Sequence, residues 1–233
     1  PKTGSFIHMT PDGGVSFDVN AKGLRIEGLA RPAFDRPLVQ TTRYPGGKGT
    51  LQWWGNLVLE RGQATREGET ITLTEGAMGA YDRTVGHRRS VQNWNWLSAV
   101  GEMIRKDTSV AVPFSLQMSK DRDRAVPPVA GKKYVAWVGD DMFKFDSLRF
   151  QYSTDPGTGE TSPWVIMAEG PNMGMDLVFK PRFRRRERGY FPILYRADFR
   201  QFYGELSGEL WCGDVRYIME DTFALTEDAY LRV

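Results

Sequence analysis

Between Gly79 and Trp96 the chain gathers Tyr81, Asp82, His87, three arginines, two asparagines and two tryptophans. A plain structural hairpin has no need of so many ionisable, amide and indole groups. A strand over Met78–Thr84 places Met78, Ala80, Asp82 and Thr84 on one face, which aims Asp82 at an interior of small and apolar neighbours. Desolvation there raises a carboxyl pKa, as a general acid working near neutrality requires. Arg83, Arg88 or Arg89 would push the other way, and a buried Asp–Arg pair that only fixes strand register fits the same residues. His87 alone reads as a satisfied structural histidine, whereas next to Asp82 it reads as a proton carrier.

Trp94 and Trp96 share one face of their strand and Asn93 and Asn95 the other, so indoles and amides address different surroundings. They form either aromatic walls with polar anchors around a pocket, or an aromatic plug with amides capping backbone. The candidate catalytic residues are therefore Asp82 and His87. The candidate ligand-binding residues are Tyr81, Arg83, Arg89, Asn93, Trp94, Asn95 and Trp96. Two others join them. Trp53-Trp54 puts one indole on each face of a strand, with Trp53 a pocket candidate. Asp221 falls in the register of Tyr217, Met219 and Phe223, as an inward carboxylate or the mark of a bulge.

The elements that must position these groups are strands. With 25 glycines and 13 prolines the chain is punctuated at short intervals, and turn signals stand at Pro11-Asp12-Gly13-Gly14, Pro45-Gly46-Gly47, Gly139-Asp140-Asp141 and Asp155-Pro156-Gly157. Period-two alternation is clear in Phe202–Leu210 and again in Val215–Leu225 beyond Gly213-Asp214, which predicts a hairpin. Short strands are legible throughout the rest of the chain, including Leu51–Glu60, Met78–Val85, Val91–Val100 and Tyr190–Arg196. The one helical turn expected is Gly101–Lys106. About fourteen to sixteen strands exceed the eight of a simple barrel. The expectation is an all-β fold of antiparallel β-barrels, two packed together, spanning 1–96 and 97–233.

Composition narrows the chemistry. Lys and Arg number 31 against 29 Asp and Glu, so no general field favours a polyanion, and nucleic acid is not expected as a partner. The run Lys180–Arg188 is strongly basic and reads as a solvated hairpin loop in preference to an anion or nucleic-acid contact. A single cysteine, Cys212, excludes an intrachain disulfide and points to a reducing, cytoplasmic setting. Two histidines exclude a histidine-rich metal site, and neither metal nor cofactor is implied. No apolar run approaches the ~20 residues of a membrane helix, so no membrane span is expected. The chain opens at Pro1 and not at methionine, which leaves room for an upstream segment.

Tyr81-Asp82 followed by Gly86-His87 and Asn93-Trp94-Asn95-Trp96 resembles the pattern of the carotenoid 1,2-hydratase and AttH-like superfamily. Phe202–Gly208, Glu220-Asp221 and Glu227 look like the closing strands of those proteins. The resemblance implies tandem lipocalin-like barrels and cofactor-independent hydration or cyclisation of an isoprenoid or polyketide chain. On that basis the expected function is a hydratase- or cyclase-type enzyme acting on a hydrophobic small molecule in a barrel pocket. The alternative is a non-catalytic carrier or sensor of such a ligand. Neither composition nor motif speaks to oligomeric state.

Overall fold

The computed structural model describes residues 5–34, 37–43, 49–86, 91–122, 134–191 and 195–232. Among them the chain is all β, with no helix, in two curled antiparallel sheets. Accordingly, no helix in the described residues is long and apolar enough to cross a membrane. The strands are β1 (Phe6–Met9), β2 (Val15–Ala21), β3 (Leu24–Pro32), β4 (Leu38–Arg43), β5 (Gly49–Arg66), β6 (Glu69–Thr72), β7 (Met78–Gly86) and β8 (Val91–Arg105). They continue as β9 (Val110–Asp121), β10 (Tyr134–Val138), β11 (Asp141–Lys144), β12 (Ser147–Gln151), β13 (Trp164–Gly170), β14 (Met173–Phe191), β15 (Tyr195–Cys212) and β16 (Val215–Arg232).

The chain divides into two compact units, one of Pro1–Leu38 with Trp53–Arg83, the other of Val39–Gln52 with Thr84–Val233. Residues 96 and 97 both lie inside β8, the whole of which belongs to the second unit. The first sheet has the order β1-β2-β3-β5-β4, with β6 and β7 also pairing to β5. In the first unit Val15, Ala30, Trp54 and Leu59 are buried. Trp54 takes the core side of the tandem pair and Trp53 is half-buried, as the alternation of β5 dictates.

The second sheet runs β11-β10-β9-β8-β16-β15-β14-β13-β12 and curls until β12 meets β9, where Lys120 Nζ donates to the Leu148 carbonyl at 2.5 Å. One face of every strand enters a continuous core containing Leu97, Phe114, Leu116, Trp164, Phe179, Phe202 and Leu206. Trp164 sits at its centre, edge-on to Phe150 and Phe179 and tilted against Phe202. The middle of this barrel is thus filled by its own side chains, which fixes the curl.

Three local expectations change. Gly101–Lys106 is not helical, because β8 continues to Arg105, pairs with β9 and β16, and turns only where Ser109 N donates to the Arg105 carbonyl. Lys180–Arg188 is not a loop; it lies within the 19-residue strand β14. Asp221 marks a bulge: the pairing of β16 shifts between Ile218 and Ala224, the residue has φ of 43°, and its exposed carboxylate accepts from Ser207 Oγ at 3.0 Å. It is therefore not an inward carboxylate.

Candidate functional site

Strand alternation carries the apolar core of the second unit outward into a polar mouth. On β8 the face that buries Leu97 and Ala99 continues to Asn95 and Asn93. On β16 the face of Ala224 continues through Thr226 to Asp228 and Tyr230, and on β15 the face of Phe202 continues to Arg200 and Asp198. β14 joins this face only through a register shift between Pro181 and Phe183. Before the shift the odd residues Met175, Leu177 and Phe179 point inward; after it Arg184, Arg186 and Arg188 pair with Phe202, Arg200 and Asp198. One extra residue thus turns half of the basic run into the barrel.

Here Arg122, Tyr152, Asp198, Arg200, Asp228 and Tyr230, with Thr154, border a cavity of about 400 Å³. Its floor is Tyr152, whose ring stacks on Trp164 with centroids 3.8 Å apart and planes 6° from parallel. The Tyr152 hydroxyl accepts from Asn95 Nδ2 at 2.9 Å, and Arg122 Nη1 stands 3.4 Å away. Burial, and then the nearby Asp228 carboxylate, push the phenol up to about 12, so it stays protonated through the neutral range.

Asp228 is only 7% exposed. Arg122 Nη2 lies 2.8 Å from one of its oxygens and Arg200 Nη1 3.6 Å from the other. Asn93 Oδ1 accepts from Arg122 Nε at 2.6 Å and so orients that guanidinium. Asp198 takes Arg186 in a bidentate pair at 2.8 and 2.5 Å and Arg200 at 3.3 Å. The Arg186 bond, with Arg200 behind it, brings its carboxyl down to about 2. Among the described residues the mouth therefore holds four arginines, at 122, 186, 188 and 200, against two aspartates, an excess of positive charge.

The residues singled out in the sequence are dispersed. Asn93 and Asn95 stand behind the mouth, where they hold Arg122 and Tyr152. Trp94 faces the opposite side of β8, where its Nε1 donates to Glu227 Oε2 at 3.1 Å and Gln201 Nε2 holds the other Glu227 oxygen at 2.9 Å. Trp96 shares that side, with an indole N–H that is buried and finds no acceptor among the described residues. The inward placement of Asp82 is overturned: Ala80 and Asp82 are exposed, while Tyr81 takes the half-buried side of β7 with its ring over Gly55, where a Cβ would collide with it. The glycine at 55 admits the ring from that face and thereby sets the phase of β7. Burial raises the Tyr81 phenol pKa as well. His87, Arg88 and Arg89 lie outside the described residues, as does the side chain of Arg83.

Tyr152, Arg122, Asp198, Arg200 and Asp228 were missed. For Asp198 and Arg200 a signal was present in Asp198-Phe199-Arg200-Gln201-Phe202, where two charges precede a core phenylalanine on one face. A second cavity, of about 440 Å³, lies beside the bulge between Glu160, Thr161, Arg182, Phe183, Arg184 and Phe202.

Two solved structures share the fold. One is an AttH candidate from Nitrosomonas europaea, with a TM-score of 0.56 and 14% identity, matched over 95% of this chain and 67% of that one. The other is CghA, with a TM-score of 0.56 and 10% identity, over 94% of this chain and 64% of that one. The chain thus spans about two thirds of the length of each. No curated protein sequence matches it. Both likenesses agree with the AttH-like, lipocalin-type architecture. Through a match over residues 55–233, the chain belongs to the family described as a domain of unknown function, DUF2804.

Proposed function

We propose that the chain is a cofactor-independent enzyme of hydratase or cyclase type, with the mouth of the second unit as its reaction site and an oxygenated, polyketide-like small molecule as its substrate class. The observation that carries this reading is the Tyr152 hydroxyl at the floor of a cavity of about 400 Å³, kept protonated beside two guanidiniums. That volume lies within the range of small-molecule sites. A phenol donor and guanidiniums in a partly desolvated pocket can hold and polarise a carbonyl oxygen. Polarisation lowers the barrier for water, or a nucleophile of the same molecule, to add across a conjugated double bond. Asp228 would act as a positioning residue, holding Arg122 and Arg200 in place. The polar lining favours an oxygen-bearing chain over a bare isoprenoid hydrocarbon, because such a chain satisfies the donors it meets.

The second reading, a non-catalytic carrier, draws on the cross-pairing of the arginines with Asp198 and Asp228, which binding alone would explain. Incubation with a panel of unsaturated polyketides and isoprenoid acids, followed by mass spectrometry and melting curves, separates the two. An enzyme converts a member of the panel, and Tyr152→Phe abolishes conversion by about a hundredfold with little loss of binding. A carrier is stabilised by the same compound and leaves it unchanged. If no compound is converted and none shifts the melting temperature, both readings fall.

A further inference from the structure

The hairpin of β14 and β15 carries a cluster of exposed aromatic side chains at its tip. Tyr190 is 75% exposed, Phe191 60% and Tyr195 39%. Phe191 ends β14, Tyr190 precedes it and Tyr195 begins β15, and none of the three is part of the core. By sequence, the residues that join them are Pro192, Ile193 and Leu194, all uncharged. Large apolar side chains in such a group are unusual on a surface that meets only water.

Basic residues collar this tip. Tyr190, Arg196 and Arg232 occupy one cross-strand row, and the next inward-facing residue of β14 is Arg188, which is 66% exposed. Arg196 lies over the Tyr230 ring at 5.6 Å. Asp198, the acidic residue of the next inward row, is held closely by Arg186 and Arg200 and only at 4.0 Å by Arg188, while Arg196 and Arg232 lie further out along the strands. Aromatic rings at the strand ends with arginines behind them match a lipid surface in layers: rings at the level of the headgroups and acyl boundary, guanidiniums at anionic phosphates and carboxylates. Tyrosine suits that depth because one end of its ring is apolar and the other wet.

We propose that the β14–β15 tip docks the protein on an anionic lipid surface, with Tyr190, Phe191 and Tyr195 entering the interface and Arg188, Arg196 and Arg232 contacting headgroups. The charge complementarity of the collar singles out this occupant. The tip is the distal end of the same two strands that supply Arg186, Asp198 and Arg200 to the mouth, so docking would bring the mouth close to the lipid. The proposal does not depend on the reading of the mouth as an enzyme site.

Co-sedimentation of the full chain with vesicles of phosphatidylcholine, with and without phosphatidylserine, tests it. The protein should pellet with the serine-containing vesicles, less with pure phosphatidylcholine, and less again as salt is raised. Tyr190→Ser with Phe191→Ser should lower the bound fraction by about tenfold, as should Arg196→Gln with Arg232→Gln, while melting curves shift little because these side chains are exposed. Wild-type protein that stays in the supernatant with both vesicle types overturns the proposal. So does an aromatic variant that pellets like wild type. A third overturning result is a concentration-dependent dimer, seen by sedimentation, that the same serine substitutions dissolve: the tip would then join two copies of the chain.

Discussion

Replacing Tyr152 with phenylalanine isolates what the hydroxyl does at the mouth. The ring stays stacked on Trp164, so packing is preserved. The loss is the 2.9 Å bond from Asn95 Nδ2 together with the hydroxyl's weaker contacts to Arg122 Nη1 at 3.4 Å and to Asp228, and Asn95 is not left bare because the same amide reaches the Glu227 carbonyl at 3.3 Å. A part-buried neutral hydrogen bond with a residual partner is worth about 1 kcal/mol. For a unit of this size that lowers Tm by about 2–4 °C.

The pH dependence is more diagnostic. The folded-state pKa, about 12, lies above the ordinary value of 10.0, so the folded chain holds this proton more tightly than the unfolded chain. The contribution is fully present below pH 10 and is lost as pH rises toward 12. Partial solvent access limits it to no more than about 2 kcal/mol. Urea unfolding near neutrality and again between pH 10 and 12 should show Tyr152→Phe slightly weaker than wild type at first, with the gap narrowing or reversing in alkali. A variant whose stability parallels wild type across that window would refute the claim that Tyr152 is a desolvated phenol beside Asp228.

Two other substitutions test the frame around it. Asp198, with its pKa near 2, stabilises the fold above the ordinary carboxylate pKa of 3.8, and this is lost as pH falls between those values. Asp198→Asn should therefore flatten the acid limb of a stability–pH curve, at a cost of about 1 kcal/mol or less near neutrality because the ion pairs are partly exposed. Gly204 packs so closely under the bulge that a Cβ would fall inside contact distance of the Lys180 carbonyl. Gly204→Ala should cost about 2–3 kcal/mol by urea unfolding, since backbone and not a flexible side chain must move.

Strand content was legible because alternation and turn residues are local signals, and Phe202–Leu210 and Val215–Leu225 fall within β15 and β16 as predicted. The site was less legible, for reasons that differ residue by residue. Asp82 was read as inward from its place among Ala80 and Thr84, yet nothing local says which face of an alternating strand is buried. Gly55, some 27 positions earlier in the chain, admits the Tyr81 ring and settles it. Asn93 and Asn95 were correctly separated from Trp94 and Trp96, because a single uninterrupted strand carries all four. Tyr152 lies just past the end of β12, where alternation gives no guide to which way a side chain points.

The basic run shows most directly why sequence patterning stops short of the site. Read with uniform period two, β14 would send Phe183 and Arg185 inward, behind Leu177 and Phe179, and Arg184, Arg186 and Arg188 outward. A charged, exposed stretch would result, which is how Lys180–Arg188 reads on composition. The shift between Pro181 and Phe183 reverses this at the point where the core ends. Proline supplies no N–H to the ladder, so a strand interior is most easily broken there. Arg186 consequently reaches Asp198 on β15, while Phe183 turns out and packs its ring 5.9 Å from Tyr203. A single inserted position thus replaces Phe183, Arg185 and Glu187 on the inner face with Arg184, Arg186 and Arg188, and it sets a cationic rim where the packed core ends.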